Sequence, residues 1–413
     1  MTVAVTVRTH GLVLVEHELE VPLDHARPDG PRITLFAREV ADPDGRDRPF
    51  LVFLQGGPGS EAPRPTRHPS APGWLDRALR EFRVLMLDQR GTGRSTPVAT
   101  LAGMAPAEQA AYLTHFRADA IVRDAELLRA ALGAGRWTVL GQSFGGLCAT
   151  TYLSLAPDGL REVLITGGVP PVGRPVDDVY RATYARTIER NRRHHDRYPQ
   201  DRERVRALLD RLGSDPVRLP SGDALTPRRL RQLGQGLGMS DGSEHLHYLL
   251  ELDPGSPAFA HDVEAALPFA RNPLYAIVHE ACWADGGATR WAAERVMPDA
   301  YRMDPTLLFG EQVFPWMFED YGALRPLREA AELLAAHAWP RLYDAERLAH
   351  NDVPVAAAIY AEDPYVERAF SEETAAHVRG MRTWITSEYD HNGLRADGER
   401  ILSRLIDLAR GRA

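Results

Sequence analysis

Fifteen residues, VLGQSFGGLCATTYL from Val139 to Leu153, restrict the fold more than any other stretch of the chain. An apolar run stops at Gly141, Ser143 sits two residues from a glycine on either side, and a run of small residues follows. This is the G-x-S-x-G pattern of a nucleophile elbow. A strand must reverse there into a helix and hold the serine in a strained conformation, so a Cβ two positions away on either side would collide with the turn. The context fits, with WTVL as the strand and GGLCATTYLSLA as the helix. The helix start would also aim backbone N–H groups at a carbonyl under attack by Ser143, which makes Phe144 a candidate oxyanion donor. A purely structural tight turn is the competing reading.

The rest of the 413 residues can be organised around that turn. FLVFLQGG, FRVLMLDQRG and WTVLGQS are short apolar runs, each ending in a polar, glycine-bearing turn, as buried parallel strands do. GLVLVEHELEVPL and RITLFAREV alternate in part and predict an antiparallel hairpin or meander. LREVLITGG predicts one more strand. Between 105 and 133 the pattern is helical, with Gly133 as its C-cap. From about 172 to 345 helical periods replace the strand runs, which return as VPVAAAIYAED and MRTWITSEYDHNG before a closing helix, ADGERILSRLIDLARG. The expectation is an α/β domain of mostly parallel sheet flanked by helices, built from residues 1–171 and 346–413, with a helical cap inserted at 172–345.

A serine hydroxyl needs a base, and the base an orienting carboxylate. Behind an elbow serine they follow in the order acid, then histidine. Asp363 stands at the end of the strand-like AAAIYAE, and His391 just past the next strand in SEYDHNG. Glu362 and Asp352 are rival acids. Asp363 is preferred because it begins the loop DPYVE at the sheet edge. LQGGPGS, from Leu54 to Ser60, follows another strand and offers a glycine-rich backbone for a second oxyanion N–H. Gly57 is the first choice and Gly56 the alternative. Asp88, Arg90 and Arg94 in DQRGTGRS read as ties between loops beneath the site.

Other signals exclude classes. The net charge of -8 is spread along the chain with no basic block, which argues against a nucleic-acid partner. No stretch has the apolar length of a membrane span, and the first residues do not read as a signal peptide. Two cysteines, Cys148 and Cys282, build no disulfide framework, so a cytoplasmic location is the default. HEACW lacks the second histidine of a zinc-protease motif. His194 and His195, in an arginine-rich helix, read as a solvated face. No dinucleotide or phosphate-loop motif occurs, and neither metal nor cofactor is expected.

QGGPG, DQRGTGRS, GQSFGG, YAEDPYV and DHNG together resemble the proline iminopeptidases (prolyl aminopeptidases) of the α/β-hydrolase fold. The longer bacterial branch with a large helical cap is the better likeness, because NPLYAIVHEACWADG and FGEQVFPWMFE match as well. Shorter members carry histidine at the position of Gln55. The resemblance implies a cofactor-free serine aminopeptidase that releases N-terminal proline from peptides through an acyl-enzyme. Ser143, His391 and Asp363 would be catalytic, with Gly57 and Phe144 as oxyanion donors. Such an enzyme reads a free amino group, largely cationic at neutral pH because its reference pKa is about 8. Burying that cation unpaired is costly, so the cap should supply carboxylates. Glu280, near Trp283, and Glu311, near Phe314, Trp316 and Phe318, are the candidates, and the resemblance favours Glu280. The aromatics themselves read as the cap's core. An esterase, a tripeptidyl aminopeptidase and a non-catalytic binding protein on the same scaffold are the alternatives.

Overall fold

The strands in chain order are β1 (Val3–Thr9), β2 (Leu12–Pro22), β3 (Arg32–Ala41), β4 (Phe50–Leu54), β5 (Arg83–Asp88), β6 (Trp137–Gln142), β7 (Leu160–Thr166), β8 (Val217–Arg218), β9 (Ala224–Leu225), β10 (Val355–Tyr360) and β11 (Met381–Thr386), and the apolar runs read from the sequence are β2 to β7, β10 and β11. The computed structural model describes residues 3–9, 11–66, 73–99 and 101–413; Met1 and Thr2, where the expected first core segment begins, lie outside the described residues. All but β8 and β9 join one 9-stranded sheet in the order β1-β2-β3-β5-β4-β6-β7-β10-β11. β1 to β3 form an antiparallel meander that pairs antiparallel with β5. From β5 across to β11 every pairing is parallel. The meander has one strand more than the sequence predicts, because β1 folds back on β2.

Period-two alternation explains why the middle of the sheet is apolar throughout. In β4, Phe50, Val52 and Leu54 enter one core cluster, while Leu51 and Phe53 enter another. In β5, Leu85 and Leu87 face the first cluster, and Val84 and Met86 the second. The first face is covered by the helices Ala118–Ala131 and Phe144–Leu155. The second is covered by Gly73–Leu79 and Gly398–Ala409, with Phe53 stacked on Trp74 at 4.6 Å. Because these strands run parallel, Leu54, Asp88, Gln142, Thr166, Tyr360 and Thr386 all end at one edge. That edge is where an open α/β sheet offers a ligand site.

The helical pattern between 105 and 133 is two helices, Pro106–Leu113 and Ala118–Ala131, and Gly133 lies beyond the second at φ +60°. Helices then dominate from Val176 to Ala349, interrupted by the antiparallel pair β8–β9, which the sequence does not announce. Val176–Arg197 and Pro199–Ser214 are separate helices, and the second folds back on the first. That return corrects the solvated-face reading of His194. Its ring is buried, with Nε2 3.2 Å from Asp201 Oδ2, and Asp201 also faces His247 Nδ1 at 2.9 Å.

Candidate active site

Ser143 follows the last residue of β6 and precedes the helix Phe144–Leu155, at φ +54° and ψ −122°. For a residue with a Cβ this backbone conformation costs about 1–3 kcal/mol. Its N–H donates to Thr166 O at 3.0 Å, and its carbonyl accepts from Gly146 N–H at 2.7 Å. The surrounding glycines are required by contact. A Cβ on Gly141 would meet Gly145 O at 2.3 Å, one on Gly145 would meet Leu54 O at 1.9 Å, and one on Gly146 would meet Gly168 O at 2.4 Å. These obstacles are backbone and cannot rotate away. Gly145→Ala is expected to cost at least about 3 kcal/mol and to give insoluble or early-melting protein, measured by thermal denaturation.

The residues read as acid and base meet Ser143 from distant parts of the chain. His391 Nε2 lies 2.9 Å from Ser143 Oγ, and His391 Nδ1 lies 2.6 Å from Asp363 Oδ2. Asp363 Oδ1 accepts the N–H groups of Tyr365 at 2.8 Å and Val366 at 3.1 Å. All three side chains are buried. The hydroxyl can therefore donate to a ring nitrogen whose opposite nitrogen donates to a fixed carboxylate. The rival acids are engaged elsewhere, Glu362 with Arg193 and Asp352 with Arg379. Burial pulls the His391 pKa down, but the charge and hydrogen bond of Asp363, with Glu311 and Asp390 nearby, more than offset it. The imidazole therefore titrates above the ordinary histidine value.

The glycine-rich loop after β4 lies against the elbow, since a Cβ on Gly56 would come within 2.9 Å of Ser143 Cβ. Gly57, at φ +127°, is the next residue. Phe144 begins the helix on the other side of the serine. Beneath them the DQRGTGRS segment is a set of ties. Asp88 accepts from Ala62 N–H, Arg94 N–H and the Arg64 guanidinium. Arg90 is buried against Asp124 and the carbonyls of Pro22, Leu23 and His115.

The two cap glutamates differ in their surroundings. Glu311 Oε1 accepts from the Tyr275 hydroxyl at 2.9 Å, and its Oε2 stands 3.7 Å from His279 Nε2. Gln235 donates to the same Tyr275 hydroxyl at 3.0 Å. Burial pushes the Glu311 pKa up, but His279, the charge of His391 and the Tyr275 hydroxyl outweigh it and hold the carboxyl below the ordinary glutamate range. Glu280, favoured by the resemblance, accepts from Ala293 N–H at 2.9 Å. It lines a cavity of about 20 Å³ with Thr289, Trp291 and Trp339, and neither Ser143, Asp363 nor His391 takes part in that lining. Burial raises its pKa despite the Ala293, Thr289 and Ala292 contacts. The cap aromatics pack on one another, Phe314 on Phe309 at 4.8 Å and on Trp316 at 5.4 Å, and Phe318 against Trp291 at 5.8 Å.

Sequence reasoning passed over Tyr365, whose ring meets that of His391 edge-on at 4.8 Å and whose hydroxyl accepts from Gly238 N–H at 3.0 Å. It also passed over Tyr275. Both lie inside quoted motifs, DPYVE and NPLYAIVHE, which is the signal that could have marked them.

Residues 49–207 match the family model described as alpha/beta hydrolase fold. The chain is 51% identical to a proline iminopeptidase of Aeromonas sobria, covering 97% of this chain and 97% of that protein. It is 33% identical to a proline iminopeptidase of Aspergillus aculeatus, covering 96% of this chain and 94% of that protein. Similarity to a Xylella fastidiosa proline iminopeptidase, also 33% identical, extends over 32% of this chain and 36% of that protein.

Proposed function

The chain belongs to the proline iminopeptidase family, and from that premise we propose that it is a serine aminopeptidase that releases N-terminal proline from peptides. The observation that carries the mechanism is the Ser143–His391–Asp363 hydrogen-bond chain. His391 Nε2 takes the hydroxyl proton as Ser143 Oγ attacks the prolyl carbonyl carbon. Asp363 keeps the Nδ1 proton in place and stabilises the imidazolium. The N–H groups of Phe144 and Gly57 receive the oxyanion, aided by the positive end of the helix Phe144–Leu155. His391 then protonates the leaving amine, and water, activated by the same ring, releases proline from the acyl-enzyme. No step in this scheme calls on a metal or cofactor.

Residues 172–345 are assigned to the cap, and Glu311 to the substrate's ammonium group. Two observations support this: its carboxyl is held below the ordinary glutamate range, and its charge acts on His391. Glu280 is assigned to bracing, because one of its oxygens is taken up by the backbone at Ala293. Two measurements test the reading. N-acetylprolyl nitroanilide is expected to resist cleavage while prolyl nitroanilide is hydrolysed. Glu311→Gln is expected to raise KM for the prolyl substrate about 100-fold with a much smaller change in kcat, the cost of leaving a buried cation without its partner. Equal turnover of the acetylated substrate would show that the amine is not read and overturn the aminopeptidase reading, and preference for simple acyl esters would assign the site to an esterase.

A further inference from the structure

The helix Val176–Arg197 carries Arg186, Arg190 and Arg193 at spacings of four and three, which puts them on one stripe. Their partners outside the helix lie on the loops that follow β10 and β11, and Arg193 also pairs with Glu189 one turn back on its own helix at 3.0 Å. Arg186 forms a two-pronged pair with Glu367 at 2.7 and 2.8 Å. Arg193 pairs with the Glu362 carboxylate, one contact at 2.9 Å. Arg190, between them, donates to the Glu362 carbonyl at 2.9 Å and also pairs with the Asp390 carboxylate. Glu362 immediately precedes Asp363, and Asp390 immediately precedes His391.

We propose that Arg190 is a positioning residue, whose single guanidinium fixes the spacing between the loop that carries the catalytic acid and the loop that carries the base. This rests on the reading of Ser143, His391 and Asp363 as the catalytic set. Only 14% of its side chain is exposed, against 35% for Arg186 and 45% for Arg193, so it is the rung best shielded from solvent. A guanidinium suits the task because its planar fork can serve a carbonyl and a carboxylate together, which a lysine ammonium cannot do with the same rigidity.

The placement has an electrostatic consequence. The charges that weigh most on His391 are Asp363 on the β10 loop, Glu311 from the cap and Asp390 on its own loop, and all favour the imidazolium. Tyr365 covers the ring edge-on and stays neutral, since burial raises its pKa. Arg190 offsets the Asp390 charge. Removing the arginine alone leaves Asp390 unpaired and raises the His391 pKa. Removing Asp390 alone leaves the arginine uncompensated and lowers it. The neutral imidazole is the working base, so the acid limb of reactivity follows that pKa upward or downward.

The test is the rate of fluorophosphonate labelling of Ser143 as a function of pH. Arg190→Gln is expected to label about tenfold more slowly than wild type, with its acid limb about half a pH unit higher. Asp390→Asn is expected to move the limb down. The double variant should return the limb near its original position without restoring the rate. Arg190→Lys should hold the limb but not the rate. Limbs that stay in place in all four variants, with or without loss of rate, overturn the proposal. If Arg190→Gln does not fold, Asp390→Asn decides alone, through whether its limb descends. A wild-type protein that takes no label fails the catalytic reading itself, and this inference with it.

Discussion

Ser143→Ala is expected to lower kcat/KM for a prolyl nitroanilide by about 10⁵-fold, while the protein melts within a few degrees of wild type. The two halves of that expectation have different origins. Catalysis is lost because Oγ is both the attacking atom and the donor to His391 Nε2 at 2.9 Å. The fold survives because what makes the elbow is main chain: the Ser143 N–H on Thr166 O, the Gly146 N–H on Ser143 O, and glycines where a Cβ has no room. Alanine keeps all of these and inherits the same backbone strain. The variant should still bind the prolyl substrate, because Glu311, proposed to hold the ammonium group, is untouched, and it should take no fluorophosphonate label. An alanine variant that kept its peptidase activity would mean that another nucleophile does the work.

How much of this could be read from residues alone differs from element to element. The parallel strands were legible because burial on both faces forces continuous apolar runs, such as VAAAIY in β10, and because each run ends in a glycine-bearing or acidic turn. The elbow was legible because one backbone geometry excludes side chains at fixed positions. Asp363 could be chosen over Glu362 from its place at the head of a loop, although the two are adjacent. What separates them in the structure is a long-range partner: Glu362 meets Arg193 from a helix that no local pattern links to it. The same blindness hid the buried His194, which depends on how two helices fold together at Tyr198 and Pro199. Glu280 and Glu311 could not be told apart for a related reason. Both sit in aromatic cap segments, and which one nears His391 depends on how the helix Pro273–Trp283 docks. That docking rests on Gly59, where a Cβ would come within 2.6 Å of the Tyr275 backbone nitrogen. The glycine is visible in the sequence, but its distant neighbour is not.

Asp363→Asn should be almost as damaging as loss of the nucleophile, about 10⁴-fold in kcat, with little change in structure. The two oxygens of Asp363 have different duties. Oδ1 accepts two main-chain N–H groups, from Tyr365 and Val366, and Oδ2 accepts from His391 Nδ1. An asparagine in the same place must keep its carbonyl oxygen on the two backbone donors, because turning the amide over would set its NH₂ against both. The NH₂ then faces His391 Nδ1, which can accept that proton only by giving up its own. The ring is driven to the tautomer with hydrogen on Nε2, so it presents a donor to Ser143 Oγ where an acceptor is needed. The geometry stays intact and the base is gone. Kinetics with the prolyl substrate, paired with NMR observation of the His391 ring protons, check both steps. An Asp363→Asn enzyme that loses activity while the hydrogen remains on Nδ1 would show that the carboxylate acts through its charge alone.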